Sequence, residues 1–284
     1  MRKLGKIILI TIMLLTICTV TVFADMGSKP RVQIDIKNPP QEKYYLDLLY
    51  YTEYYDRYSN IDADDDYDDK MLALLTGYDD SGWVPAIASG TSLPMWGSLE
   101  PDENGRHIFG YFGVPDEFKI IIVTESGQIK VSDVIKRKTM EISLTLDCND
   151  MSHTSKPVWT AYIAQFAITF SVTIAVEFIV LAIFFMARKA NLKPFLHMNI
   201  ITQLLLTAFM STGFIYGGTI IAYMWFPVIE LVIFIFEMWY SKKYFIGEND
   251  LMKLAYAFVA NTASAMLTFF SLETIMDIMF KVIR

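Results

Sequence analysis

Glu230-Leu-Val-Ile-Phe-Ile-Phe-Glu237-Met-Trp-Tyr240 sets two carboxylates inside a run that otherwise has the character of a membrane-spanning helix. An ionised side chain at the centre of such a helix costs roughly 2.5–3.5 kcal/mol, so acids found there face a protein interior or water and are functional candidates. At about 3.6 residues per turn, the spacing from Glu230 to Glu237 is close to two turns. Both carboxylates therefore share one helix face, with Tyr240 a turn further along it.

The rest of the chain agrees with a membrane setting. Of 284 residues, 54% are hydrophobic, and the mean hydropathy of +0.35 points away from an ordinary soluble protein. Charge divides the sequence: residues 25–156 carry 24 acids against 13 basic residues, whereas 157–284 carry 7 against 8 and are mostly apolar. An acidic water-facing domain followed by a membrane domain is the reading. Ahead of both, Met1-Arg-Lys-Leu-Gly-Lys6, the apolar Ile7 to Phe23 and Ala24-Asp25 have the three parts of an export signal, assigned to residues 1–24. An uncleaved signal anchor is the alternative. Beyond the signal Cys148 is the one cysteine, so the exported domain is expected to hold together by burial without an internal disulfide.

Within 25–156, Val32, Ile34 and Ile36 alternate with polar residues up to Asn38-Pro-Pro40, the pattern of a half-buried strand. Further strands are expected at 43–51, 107–112, 118–123, 128–135 and over Met140 to Leu146, with a turn at Glu125-Ser-Gly127. One helix is expected near Asp68 to Leu75. Short strands at this spacing predict an all-β or α+β, sandwich-like fold. Asp62, Asp64 and Asp66 fall at the first three ligand positions of a calcium loop. Tyr67 and Ala73 stand where that loop needs Gly and a bidentate Glu, which leaves a solvated turn favouring the next helix as the plainer reading. The many tyrosines, with Trp83 and Trp96, suit cross-strand packing or an aromatic binding platform.

Apolar spans near 158–187, 195–214, 219–240 and 254–280 are each long enough for a bilayer core of about 30 Å, giving an all-α four-helix transmembrane domain over 157–284. Arg188, Lys189 and Lys193 follow the first span and Lys242, Lys243 and Lys253 the third, whereas the link at Gly217-Gly218 is uncharged. Basic loops inside place 25–156 outside the cell. Counted inward from those loops, Glu177, Gln203, Glu230 and the pair Asn261 and Ser264 lie roughly 12–18 Å deep, one polar layer drawn from four helices. Glu237, Tyr240 and Asn199 form a shallower layer. Amides and hydroxyls there serve as inter-helix glue. Carboxyls suit proton carriage or cation binding, which glue does not require.

Lys29-Pro30, Glu42-Lys-Tyr-Tyr45, Gly82-Trp83 and Phe118-Lys-Ile120, then Asn199 with Thr202-Gln203, Glu230 with Phe234, Glu237 and Tyr240, and Tyr256 with Ala260-Asn261 and Ser264, carry a resemblance. In them the chain resembles an uncharacterised family of Gram-positive bacterial membrane proteins with an exported N-terminal β-rich domain and four C-terminal transmembrane helices. It departs from that family between Ala86 and Glu103. The resemblance implies architecture and no activity.

No Gly-x-Ser-x-Gly, His-Glu-x-x-His or phosphate-cradling glycine loop occurs, so neither a catalytic signature nor a cofactor is expected. The reading is a multi-pass cell-membrane protein whose exported domain binds a surface ligand or a membrane-protein partner, as sensor, scaffold or accessory subunit. Its partners would be the lipid bilayer and, for a homo-oligomer, a second copy, with no nucleic acid. The alternative is a small transporter subunit or intramembrane enzyme using Glu177, Glu230 and Glu237.

Overall fold

The alternation of Val32, Ile34 and Ile36 becomes β1 (Arg31–Lys37). A computed structural model describes residues 27–53, 57–62, 65–247 and 249–283; the expected export signal lies outside them. In β2 (Tyr44–Tyr51) six consecutive residues are buried, a run too continuous for a strand with one wet face. It lies between β3 (Trp83–Pro85) and β5 (Glu117–Thr124), and the short helix α1 (Asp69–Thr76) packs against both of those neighbours. Asp68 caps α1 by accepting from Met71 N at 2.9 Å, so the acidic run does begin a helix.

Two sheets result. The first has the order β4-β1-β8-β9, with β4 (Arg106–Gly110), β8 (Glu141–Asp147) and β9 (His153–Ser155). The second runs β3-β2-β5-β6, where β6 is Ile129–Val131, and β7 (Ile135–Lys136) also pairs with β5. Val32, Ile34, Leu144 and Leu146 of the first share one core with Leu46, Leu48, Ile120 and Ile122 of the second. The strand expected at 128–135 is split. Ser132 receives the Ile120 N–H on its side chain at 2.9 Å, a local side-chain bond that competes with the ladder. β3 and β9 are three residues each, too short to show a period.

Register fixes direction. Arg31 pairs with Gly110 in antiparallel β4 and with Glu141 in parallel β8, so the start of β1, the end of β4 and the start of β8 lie at one end of the sheet.

Five helices follow: α2 (Trp159–Ile183), α3 (Lys189–Thr212), α4 (Gly218–Tyr244), α5 (Asp250–Phe270) and α6 (Leu272–Ile283). Among the described residues, two helical stretches are long and apolar enough to cross a membrane, Trp159–Ile183 and Lys189–Tyr244, with mean hydropathies of 2.4 and 2.2. The second has 56 residues and folds back on itself, because α3 and α4 pack together across a π-helical turn, Gly213–Gly217. Gly218, at φ 75° and ψ −174°, makes the reversal in a region essentially reserved for glycine. α2 packs on α3 and α5, and α4 on α3 and α5. The continuous span expected at 254–280 breaks at Ser271, whose N–H turns back to the Leu267 and Thr268 carbonyls. Beyond it α6 buries Leu272, Ile275, Met279 and Ile283 and exposes Glu273, Asp277 and Lys281, an amphipathic helix laid on α2.

The β part meets the helices at the α3–α4 turn. Met140 N donates to Ile215 O at 2.7 Å and Ser28 N to Thr219 Oγ1 at 3.2 Å. The Ser28 and Thr219 hydroxyls bond each other and both reach Met276 Sδ on α6.

Candidate functional site

A polar ladder runs down α2. Gln165, Thr169, Thr173 and Glu177 recur every fourth residue, which puts them on one face, and all four are buried. Three of them bond side chains on other helices. Gln165 accepts from Ser211, Thr169 Oγ1 accepts from Gln203 Nε2 at 2.5 Å, and Glu177 Oε1 accepts from Ser264 Oγ at 3.0 Å. Across the interior Asn261 Nδ2 donates to Glu237 Oε2 at 3.4 Å. Glu177 and Glu237 are 0% and 1% exposed, and Glu230 is partly exposed.

These groups surround a cavity of about 10 Å³, lined by Glu177, Glu230 and Glu237 with Gln203, Asn261 and Ser264 and, from the apolar side, Leu206 and Ile233. That volume holds one water molecule. No Lys, Arg or His lines it. Of the residues singled out from sequence, six therefore meet here. Asn199 is buried but spends its N–H on the Phe195 carbonyl of its own helix, and Tyr240 pairs with His197 Nδ1 at 2.8 Å; neither lines the cavity. Glu237, expected in a shallower layer, lines the same cavity as Glu230. Two turns of α4 stand about 10 Å apart, and the cavity occupies the gap between them, so the polar region is tall where the sequence suggests a plane. Thr173, Thr202 and Thr268 also line it and were not expected. The spacing of four along an apolar helix was the available signal.

A second concavity lies in the β part. Asn38, Pro39, Pro40, Gln41, Glu42, Gln128, Lys130, Cys148 and Asn149 are among the walls of a cleft of about 990 Å³. Asn38 follows β1 and Cys148 follows β8, so the cleft opens at the end of the sheet opposite the helical turn. Its rim is pinned by polar bonds. Asn38 Nδ2 reaches Asp147 Oδ1 at 2.9 Å, Lys37 reaches Asp147 at 3.0 Å, and Lys130 Nζ donates to Cys148 O at 2.7 Å. The Asn38 amide, the Asn149 N–H and Lys37 hold Asp147 down at about 2. Burial pushes the Cys148 thiol up, the opposite of what a reactive cysteine needs. Glu42 accepts from Ser126 Oγ at 2.6 Å across the turn after β5.

Asp62 and Asp66 of the calcium candidate are described and Asp64 is not; among the described residues no three His, Cys, Asp or Glu side chains are placed to hold a metal ion. No family model, no curated protein and no solved structure matches the chain.

Proposed function

We propose that this chain is a multi-pass cell-membrane protein whose β domain stands outside the cell as a sandwich-like ligand receiver, carried on four membrane helices, α2 to α5. The contrast of the two concavities carries the reading. A cavity of about 10 Å³ accommodates one water and offers no passage to a solute, whereas a cleft of about 990 Å³ is at the upper end of the range for small-ligand sites. The cleft wall is rich in side-chain amides, Asn38, Gln41, Gln128 and Asn149, and these favour a neutral ligand rich in hydroxyl or amide groups, a glycan or short peptide. The direct contact between Met140 and the α3–α4 turn supplies a mechanical link to the helices.

The test is equilibrium binding to the full chain in lipid nanodiscs, with cell-wall glycan fragments and short peptides as probes. Binding that weakens in Gln128→Ala and Asn149→Ala supports the reading. Silence across the panel, or binding indifferent to both substitutions, overturns it. One observation favours a second reading: three carboxyl groups face the helical cavity with no basic side chain among them, a setting suited to holding protons. Proton flux into liposomes that disappears in Glu230→Gln would make proton handling the function.

A further inference from the structure

We infer that the membrane-facing rim of the β domain is seated in the headgroup layer of the bilayer through an aromatic loop pair, Leu93 to Trp96 and Tyr111-Phe112. The inference rests on the membrane reading above and goes beyond it. Arg31, Gly110 and Glu141 mark the sheet end nearest the helices, because Met140 and Ser28 at that end are bonded to Ile215 and Thr219. Tyr111 and Phe112 are the next residues past Gly110. Trp96 is tied to the same point, exchanging backbone hydrogen bonds with Gly110 at 3.0 and 2.9 Å. Its ring lies so close over Gly110 that a Cβ there would come within 2.3 Å of it.

These side chains are placed for contact with something outside the chain. Leu93, Trp96 and Phe112 are 51%, 52% and 55% exposed although the core beside them is closed. Tyr111 sits at φ 82°, a conformation that costs a bulky residue energy and persists only where its surroundings impose it. Lys29 Nζ stands 5.0 Å from the Tyr111 ring and 5.9 Å from that of Phe112. Aromatic rings beside a lysine stem match the chemistry of the headgroup layer, where one end of a side chain is apolar and the other wet.

The chain's own helices carry the same chemistry at the end that meets the β domain. Trp159 opens α2 and Tyr216 lies in the α3–α4 turn, and both are more than half exposed. The acidic character of the β domain does not oppose the contact here, since Asp116 is paired with Arg137 and Glu117 with Lys136.

The experiment uses the full chain in phosphatidylcholine–phosphatidylglycerol nanodiscs and two single-tryptophan variants, one keeping Trp96 and one keeping the exposed Trp225 of α4, the other tryptophans being changed to Phe. Lipids brominated near the headgroup or deep in the chain serve as quenchers. The expected result is that Trp96 loses fluorescence to shallow bromines and much less to deep ones, while Trp225 is quenched as a residue within the bilayer. Trp225 quenched with Trp96 unaffected overturns the inference and leaves the membrane reading standing. Neither quenched overturns both. A second probe avoids multiple tryptophan changes: Phe112→Cys carrying a polarity-sensitive dye should shift its emission to the blue in nanodiscs. A blue shift that instead requires high protein concentration would assign the rim to a second copy and overturn the inference.

Discussion

At the scale of single residues, the β domain buries two ionisable groups whose titrations oppose each other. Asp47 in β2 is 0% exposed and accepts backbone N–H groups from Leu48, Ile87 and Ala88; burial outweighs these donors and pushes it up to about 7. His107 in β4 is also 0% exposed, and burial pushes it down to about 4. The folded state thus holds the Asp47 proton longer than the unfolded chain does. Its contribution to stability is complete below about 4 and is lost as pH rises to about 7. His107 runs the other way, contributing fully above about 6.5 and losing that contribution as pH falls to about 4. The effects are about 4 kcal/mol for Asp47 and about 3 kcal/mol for His107, so in the parent chain they largely cancel. Separating them exposes both. The melting temperature of His107→Phe should fall between pH 4 and 7, and that of Asp47→Asn should rise between pH 4 and 6.5. Two variants that keep the parent's profile would refute the assignment. In the helical part, Glu237→Leu would strand the Asn261 amide, at about 1–3 kcal/mol for the buried group left unpaired, whereas after Glu177→Leu the Ser264 hydroxyl keeps the Asn261 carbonyl as an acceptor. Glutamine keeps the shape and an acceptor, so Glu237→Gln should melt within a few degrees of the parent in detergent; a collapse equal to that of leucine would show that the ionisable proton itself holds the core.

Among the elements, legibility followed length. β1, β2, β5 and β8 carry an apolar period or run of seven or eight residues and could be read directly, as could the turn at Glu125-Ser-Gly127. β3 and β9 have no period to read, and the division of β6 from β7 depends on a serine side chain whose partner lies in another strand. Six of the eight polar residues singled out in the helical part meet because spacing by turns constrains a helix face strongly; Tyr240 leaves the group for His197, a neighbour that no spacing within α4 reveals. The 990 Å³ cleft was invisible because its wall joins the ends of both sheets. The α3–α4 turn gives the test at this scale. Gly218 lies where a side chain costs about 1–3 kcal/mol, and an added Cβ would stand 3.2 Å from Met140 Cε and 3.3 Å from Ser28 Cβ. Gly218→Ala should therefore lower the melting temperature of the full chain and loosen the β domain from the helices, read as faster hydrogen exchange at Met140 and Ser28. Unchanged exchange at those two amides would mean that the turn does not hold the domain.

For the whole molecule, the proposed membrane setting requires the two halves to agree on one orientation. Met140 and Ser28 fix the β domain to the α3–α4 turn, so that turn and the domain share a side. The basic residues Lys189 and Lys193, at the start of α3, and Lys242 and Lys243, at the end of α4, lie at the other ends of the same two helices. Asn191 joins these ends, bonding the Met186 and Ile246 carbonyls and accepting from Ile246 N at 2.8 Å, so the loops before α3 and after α4 form one basic face. On the proposed membrane reading, a positive face on the cytoplasmic side would put the turn, the β domain and its cleft outside. Single cysteines test this in intact cells, in a Cys148→Ser background. Tyr216→Cys, more than half exposed in the turn, should react with a membrane-impermeant maleimide, and Lys189→Cys should react only after the membrane is opened. Should Lys189→Cys label from outside and Tyr216→Cys not, the domain faces the cytoplasm, and a cleft that meets ligands there would have to be sought among intracellular molecules. Should both label from outside, α3 and α4 do not cross the bilayer, and the small polar cavity between α2, α3, α4 and α5 would lie in the core of a peripheral helical domain.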